Sequence, residues 1–333
     1  MYYTDKKRDE LVELATAIEK GFTGPHQYYK RFIAVNAFKY KKQLDIPKTK
    51  EFMMFMKDNT KIFSPFRANT FVLGSLLQLG YKKPERTFLR IRDHLDLLKA
   101  NGFKKSQYLP IMSYTLDALL FDDKIQDMAI QTESYRVSVV KKAKEVYDQM
   151  KIKHPWITGG DDYPLALLIA HGGKSIDRVE AIYSGLHDKG LKKGNQLQSL
   201  SNILSLSNDE EYVLIDRVIE LIERCHKNGF KVNSIMYPGI GLIALVENDQ
   251  KNMSNVIEVT RELKKTKKFK WLEKNLLFMF AVTIVAEDIK QELSIKTIHE
   301  TTLNITIEQI VMAQTAVMLA AITASTAGAT TAT

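Results

Sequence analysis

The sequence predicts an all-α protein, built of helical hairpins stacked as an α-α superhelix or a solenoid-like array. Three observations carry this. A phrase with a glycine at its centre occurs three times, at residues 97–109 (LLKANGFKKSQYL), 185–197 (GLHDKGLKKGNQL) and 224–236 (RCHKNGFKVNSIM). A larger pattern recurs at a constant offset of 92, where Tyr163, Leu165, Leu168, Ile169 and Gly172 match Phe71, Leu73, Leu76, Leu77 and Gly80. No segment alternates apolar and polar residues long enough to read as a strand.

The repeated phrase is a joint between two helices. Counting back from Gly102, Gly190 and Gly229, apolar or near-apolar residues stand at fourteen, eleven, seven and four positions before the glycine. Those steps trace one stripe on a helix. The glycine suits the left-handed position just past a helix end, and the apolar residue after it (Phe103, Leu191, Phe230) suits a Schellman ending. Ser106, Gly194 and Asn233 then stand where the next helix needs its N-cap.

In chain order, residues 10–20 read as a helix closed by Gly21, with Leu11, Leu14, Ala15 and Ile18 on one face. Residues 26–42 interleave aromatics and cations, a pattern that can stack bases and hold phosphates. Tyr29, Phe32, Val35 and Phe38 also stand near helical spacing, which favours a buried helix face. Short helices are expected within 50–62 and 66–80. Pro84 then opens a long one, since proline is favoured in a first turn. Residues 109–120 and 124–150 read as further helices, followed by the least helix-like stretch, 154–173. After the third joint come a helix at 256–266, the basic run KKTKKFK at 264–270 and an apolar helix at 272–285. These divide into basic N-terminal helices (1–63), a first repeat block (64–150), second and third repeats (151–304) and an apolar helix with an uncharged Ala/Thr tail (305–333). In that tail the apolar part, 310–322, is shorter than the ~20 residues of a membrane span, so packing or an oligomer contact is preferred to an anchor.

Composition narrows the class. With 45% hydrophobic and 26% charged residues the chain is that of a soluble protein with a large core. The single cysteine, Cys225, excludes an internal disulfide framework and points to a reducing, cytoplasmic setting. The N-terminus is charged from the start and lacks the apolar region of a secretion signal. The net charge of +9 is uneven: residues 1–110 carry 22 Lys/Arg against 11 Asp/Glu, whereas residues 151–333 balance. Arg86 and Arg90, four apart, with Lys104 and Lys105 at the following turn, form a candidate basic edge for an anionic partner. A solvated lysine-rich surface explains the same pattern.

The best candidate for chemistry is Asp161-Asp162, with His154 upstream and His171 downstream. Paired carboxylates with imidazoles can hold a divalent metal or exchange protons. Against this, an Asp just before a proline-containing first turn is an N-cap, and His171 falls at the far end of the helix that follows. Capping is the preferred reading. Gly173-Lys174-Ser175 lacks the first glycine of a P-loop, and Gly239–Ala244 lacks the strand context of a dinucleotide fingerprint. No cofactor is expected.

The segment TGGDDYPLALLIA, the repeated NGFK joint and the uncharged tail after IEQ resemble a bacterial family known only as a domain of unknown function, number four thousand and three of its series. The resemblance covers nearly the whole chain, and Asp161–Ala166 is its most specific part. It implies a cytoplasmic bacterial protein and supplies no activity or catalytic residues. The expected function is therefore that of a binding or scaffold module for a protein or peptide partner on a concave face. The alternatives are a nucleic-acid or anionic-surface binder using the basic first third, and a metal-dependent or acid–base enzyme at Asp161/Asp162. Catalysis is the less expected of these. Oligomerisation is left open.

Overall fold

The computed structural model describes residues 3, 5–121, 133–246 and 248–286, and among them it contains fourteen α-helices and no strand. The expected segment 305–333, with its apolar stretch 310–322, lies outside the described residues, as do positions 124–132 of the expected helix 124–150.

The helices pair in chain order as hairpins: α1 (Asp5–Gly21) with α2 (Gln27–Lys39), α3 (Ile46–Asp58) with α4 (Phe66–Gly80), and α5 (Pro84–Ala100) with α6 (Leu109–Leu120). Then come α7 (Glu133–Lys153) with α8 (Tyr163–His171), and α9 (Ile176–Asp188) with α10 (Asn195–Ser205). The last two pairs are α11 (Glu211–Lys227) with α12 (Tyr237–Ala244), and α13 (Asp249–Lys265) with α14 (Lys274–Ala286). Short 3-10 turns, Gly160–Asp162 and Ser234–Met236, lead into α8 and α12.

Odd and even helices differ in kind. The odd ones are amphipathic: α11 buries Leu214, Ile215, Val218, Leu221 and Cys225 and leaves its other side polar. The even ones from α6 onward are buried almost all round, as in Tyr163–Ala170 of α8 and Leu276–Val285 of α14. A helix that is apolar on every side belongs inside. Accordingly α6 packs on α8, α8 on α10, α10 on α12, α12 on α14, and α14 on α2, which in turn packs on α4. The odd helices follow one another outside them, α5 beside α7, then α9, α11 and α13.

The stack of hairpins thus returns to its own beginning. Successive outer helices are set off lengthwise: His154, just past α7, meets Glu180 early in α9, and Lys189, just past α9, meets Asp216 in the first half of α11. Yet the connection after α13 comes back to α1 and α2, where Lys268 pairs with Glu19 and its carbonyl accepts from Arg31 Nε at 2.7 Å. The offsets are therefore the inclination of helices around a ring, not the climb of an open spiral. One apolar cluster accordingly runs from Leu11 and Phe32 to Phe280 and Val285.

The joints form as their sequence predicts. Gly102, Gly190 and Gly229 have φ of 87°, 97° and 66°. The amides of Phe103, Leu191 and Phe230 donate to the carbonyls of Leu98, Leu186 and Cys225 at 3.2, 3.1 and 2.8 Å, the outer bond of the Schellman motif. The inner bond closes each turn, as from Gly190 N to His187 O at 2.8 Å. The expected caps form in part. Ser106 Oγ accepts from Tyr108 N at 3.0 Å, but that is a turn ahead of α6, and the Asn233 side chain instead donates to Asn275 Oδ1 at 2.7 Å. In α2 the buried reading prevails over base stacking, with Tyr28, Phe32 and Phe38 all inside.

Candidate functional site

The connection between α7 and α8 holds three of the four candidate residues for chemistry. Gly160 lies so close to the preceding joint that a Cβ there would stand 2.7 Å from Ser106 Oγ. That approach folds Asp162 inward, where it is 1% exposed and its Oδ2 accepts from Gly159 N at 2.9 Å. Gln198 of α10 adds a side-chain hydrogen bond to it, and Gln198 Nε2 also donates to Thr158 Oγ1 at 3.1 Å. Burial, and then the neighbouring charge of Asp161, push the Asp162 carboxyl well above its ordinary range. Asp161 turns the other way and accepts from Asn195 Nδ2, at the start of α10, at 2.6 Å. Lys151 Nζ donates to the carbonyls of Pro155 and Thr158, each at 2.6 Å, and fixes the loop from the α7 side.

The two carboxylates therefore serve protein donors and diverge. Asp162 caps the 3-10 turn by accepting from the residue before it, and makes no side-chain cap to α8 itself. His154 is not part of this set: its Nε2 lies 3.0 Å from both oxygens of Glu180, and its ring rests on Tyr183 with centroids 4.7 Å apart. His171 closes α8, about 12 Å away along the helix at 1.5 Å per residue, and burial lowers its pKa. The structure does not bring the four together. Among the described residues no group of three or more His, Cys, Asp or Glu side chains is placed to hold a metal ion.

The basic edge expected at Arg86, Arg90, Lys104 and Lys105 is likewise divided. Arg86 sits exposed in the first turn of α5, whereas Lys104 and Lys105 lie past its far end, about 24 Å along the helix. Arg90 is engaged by Asp117: Nε and Nη2 donate to Oδ1 and Oδ2 at 2.9 and 3.0 Å, and its guanidinium lies 4.7 Å from the Phe121 ring centroid. Asp117 is fully buried, as is His94, whose Nε2 is 3.3 Å from Asp117 Oδ1. Sequence reasoning missed this network. Its signal was Asp117, the one charged residue of α6, together with Arg90 and His94 at positions i and i+4 of α5.

What the ring does assemble is a surface. All seven connections that lead from an outer helix to an inner one lie at one end, and neighbours touch: Asn69 Nδ2 of α4 donates to Gln107 O at 3.2 Å, Ser106 abuts Gly160, Asn195 holds Asp161, and Lys274 Nζ donates to Lys231 O at 3.1 Å. These seven connections contain ten lysines, no arginine and three carboxylates, one of them the buried Asp162. Among the described residues, the inner-to-outer connections at the opposite end contain five lysines and three carboxylates, a surplus of two against seven, so the positive charge of the connections is concentrated at one end. Lys61, Lys104, Lys105, Lys192, Lys193, Lys231, Lys267 and Lys270 are exposed there and make no ion pair among the described residues. The same end shows Phe63 at 83%, Trp156 at 95% and Trp271 at 81% exposure, with Ile62 and Ile152 beside the first two. Aromatic side chains of this size are normally covered.

No solved structure matches the chain. It is similar to the uncharacterized protein YeaA of Bacillus subtilis (strain 168), with 27% identity over 298 residues, which span 87% of this chain and 85% of the relative. The family described as "Protein of unknown function (DUF4003)" matches residues 16–316, so that nearly all of the ring falls within it, and the chain belongs to that family.

Proposed function

We propose that the protein is a binding module that takes a polyanionic partner on the end of the ring formed by the outer-to-inner connections. The observation that carries this is the excess of ten lysines over three carboxylates in those seven connections. Such a concentration of one sign raises the local potential and draws a partner of the other sign. The end face replaces the concave groove expected of an open stack, since the even helices from α6 onward are buried almost all round. An enzyme at Asp161/Asp162 gains no support, because each carboxylate already holds protein donors.

The test is the salt dependence of binding to heparin. Each lysine that displaces counterions steepens the fall of affinity with salt. Lys104→Glu with Lys105→Glu, and separately Lys192→Glu with Lys193→Glu, are expected to lower the salt needed for elution while leaving the melting temperature in place. Lys82→Glu with Lys83→Glu, at the opposite end, is expected to leave elution nearly unchanged. Equal effects from the two ends, or no retention of the wild type, sink the proposal.

A further inference from the structure

We infer that the polyanion is the surface of an anionic phospholipid bilayer, and that the ring sits on it by its outer-to-inner end. This rests on the binding face proposed above and specifies its partner. Three features of that face favour a lipid surface over a nucleic acid.

The first is the choice of cation. All ten basic residues in the connections are lysines. A lysine is a compact point charge that answers a diffuse negative surface. Arginine, with its planar fork, is the residue that reads bases and phosphates in fixed geometry. The second is the aliphatic company of the aromatics. Ile62 is 73% exposed beside Phe63, and Ile152 is 78% exposed one helical turn before Trp156. An isoleucine gains nothing from a stacked base, but gains from leaving water for the boundary between headgroups and acyl chains, where tryptophan also partitions. The third is placement. Phe63, Trp156 and Trp271 stand on the second, fourth and seventh connections of seven. Tips distributed around one end of a ring meet a plane together. A single strand follows a groove and needs its stacking partners one after another. Five of the eight large exposed apolar side chains among the described residues belong to this end, the others being Met54, Tyr135 and Tyr212. No helix among the described residues is long and apolar enough to cross a membrane, so the contact is one of lying on the surface.

The chain carries its own probe, because Trp156 and Trp271 are its only two tryptophans and both lie on this face. The full chain is titrated with vesicles of phosphatidylglycerol and phosphatidylcholine while tryptophan emission is followed. The expected result is a blue shift, quenching by acyl chains brominated near the headgroup, and loss of binding as salt rises. Lys192→Glu with Lys193→Glu is expected to weaken partitioning at least about tenfold. Trp156→Ala and Trp271→Ala should each remove part of the shift, and Lys82→Glu with Lys83→Glu should remove none. Three outcomes would overturn the inference. Equal binding to vesicles of phosphatidylcholine alone would remove the charge argument. Binding without a blue shift would remove the insertion of the aromatics. Salt-sensitive binding to heparin or poly(U), with no partitioning onto anionic vesicles, would overturn the lipid assignment and leave the polyanion reading standing.

Discussion

Asp162 holds a loop together from a buried position that tightens its grip on a proton. Burial raises its pKa most, Asp161 adds to this, and the hydrogen bonds from Gly159 and Gln198 only partly oppose it. A carboxyl whose folded pKa lies above its unfolded one binds its proton more tightly in the native state. Its contribution to stability is then complete below the ordinary value of 3.8 and is lost as pH rises through the raised folded value. Asp162→Asn keeps an acceptor for Gly159 N–H and removes that loss. It is expected to raise the urea midpoint at pH 7 and to leave it nearly level with wild type at pH 3. Asp162→Ala strands the Gly159 amide and the Gln198 side chain instead, and is expected to cost about 1–3 kcal/mol at either pH. A midpoint for Asp162→Asn that falls at pH 7 would show that the charged form holds the loop. Sequence made half of this legible. An Asp followed by Tyr-Pro announces a capped helix start, which is correct in kind, but which amide it serves depends on Gly160 reaching Ser106 in another hairpin.

The joints show why elements were readable where partners were not. A Schellman ending is a local device, with its stripe, its glycine and its following apolar residue within sixteen residues, so all three copies are legible in the sequence. Where the device is built from other residues it escapes. Lys41 takes the left-handed position after α2 with φ 51°, and the amides of Lys42 and Lys41 donate to Ala37 and Phe38 carbonyls, each at 3.0 Å. The same ending closes α8 at Gly173, with φ 64°. The pair sets up a reciprocal prediction. A Cβ at Gly190 would meet nothing within 4 Å, so the cost of Gly190→Ala is conformational, about 1 kcal/mol. Lys41→Gly removes the same strain and should stabilise by up to about 1 kcal/mol, less the entropy the unfolded chain gains. Thermal unfolding of the two variants decides it, since shifts of the same sign would mean that φ is not what governs them. The glycines of α12 have a different cause. A Cβ at Gly239 would stand 2.8 Å from Met279 Sδ, and one at Gly241 2.7 Å from Leu200 Cδ1. What looked like a dinucleotide fingerprint is the clearance that lets α12 pack between α10 and α14.

Closure of the ring is the property least visible in sequence, and the one on which the surface depends. α14 is nearly apolar all round and α2 buries an unbroken run, Arg31–Phe38, so both are central, but neither pattern says that they are neighbours. The polar clasp between them joins residues 237 apart, Arg31 and the Lys268 carbonyl, and no local rule pairs positions at that distance. Arg31 is 4% exposed, makes an ion pair with Glu19, and stacks over Phe269 with its guanidinium 5.7 Å from the ring centroid. Burial works against the charge on Glu19, yet hydrogen bonds from Lys268 and Arg31 hold its carboxyl below the ordinary value. Breaking a buried pair by removing one partner costs about 3–5 kcal/mol. Glu19 keeps some contact with water, so about 2–3 kcal/mol is the fitting expectation for Arg31→Ala. The location of the loss is the sharper test. If the clasp joins the first and last hairpins, Arg31→Ala will raise amide exchange in α1–α2 and in α13–α14 together, while α5–α6 keeps its protection. An open stack would confine the change to the hairpin that carries the mutation. Closure sets the lysine-bearing connection after α13 beside the start of the ring, so the same variant should also weaken binding to heparin, although Arg31 is buried and touches no partner.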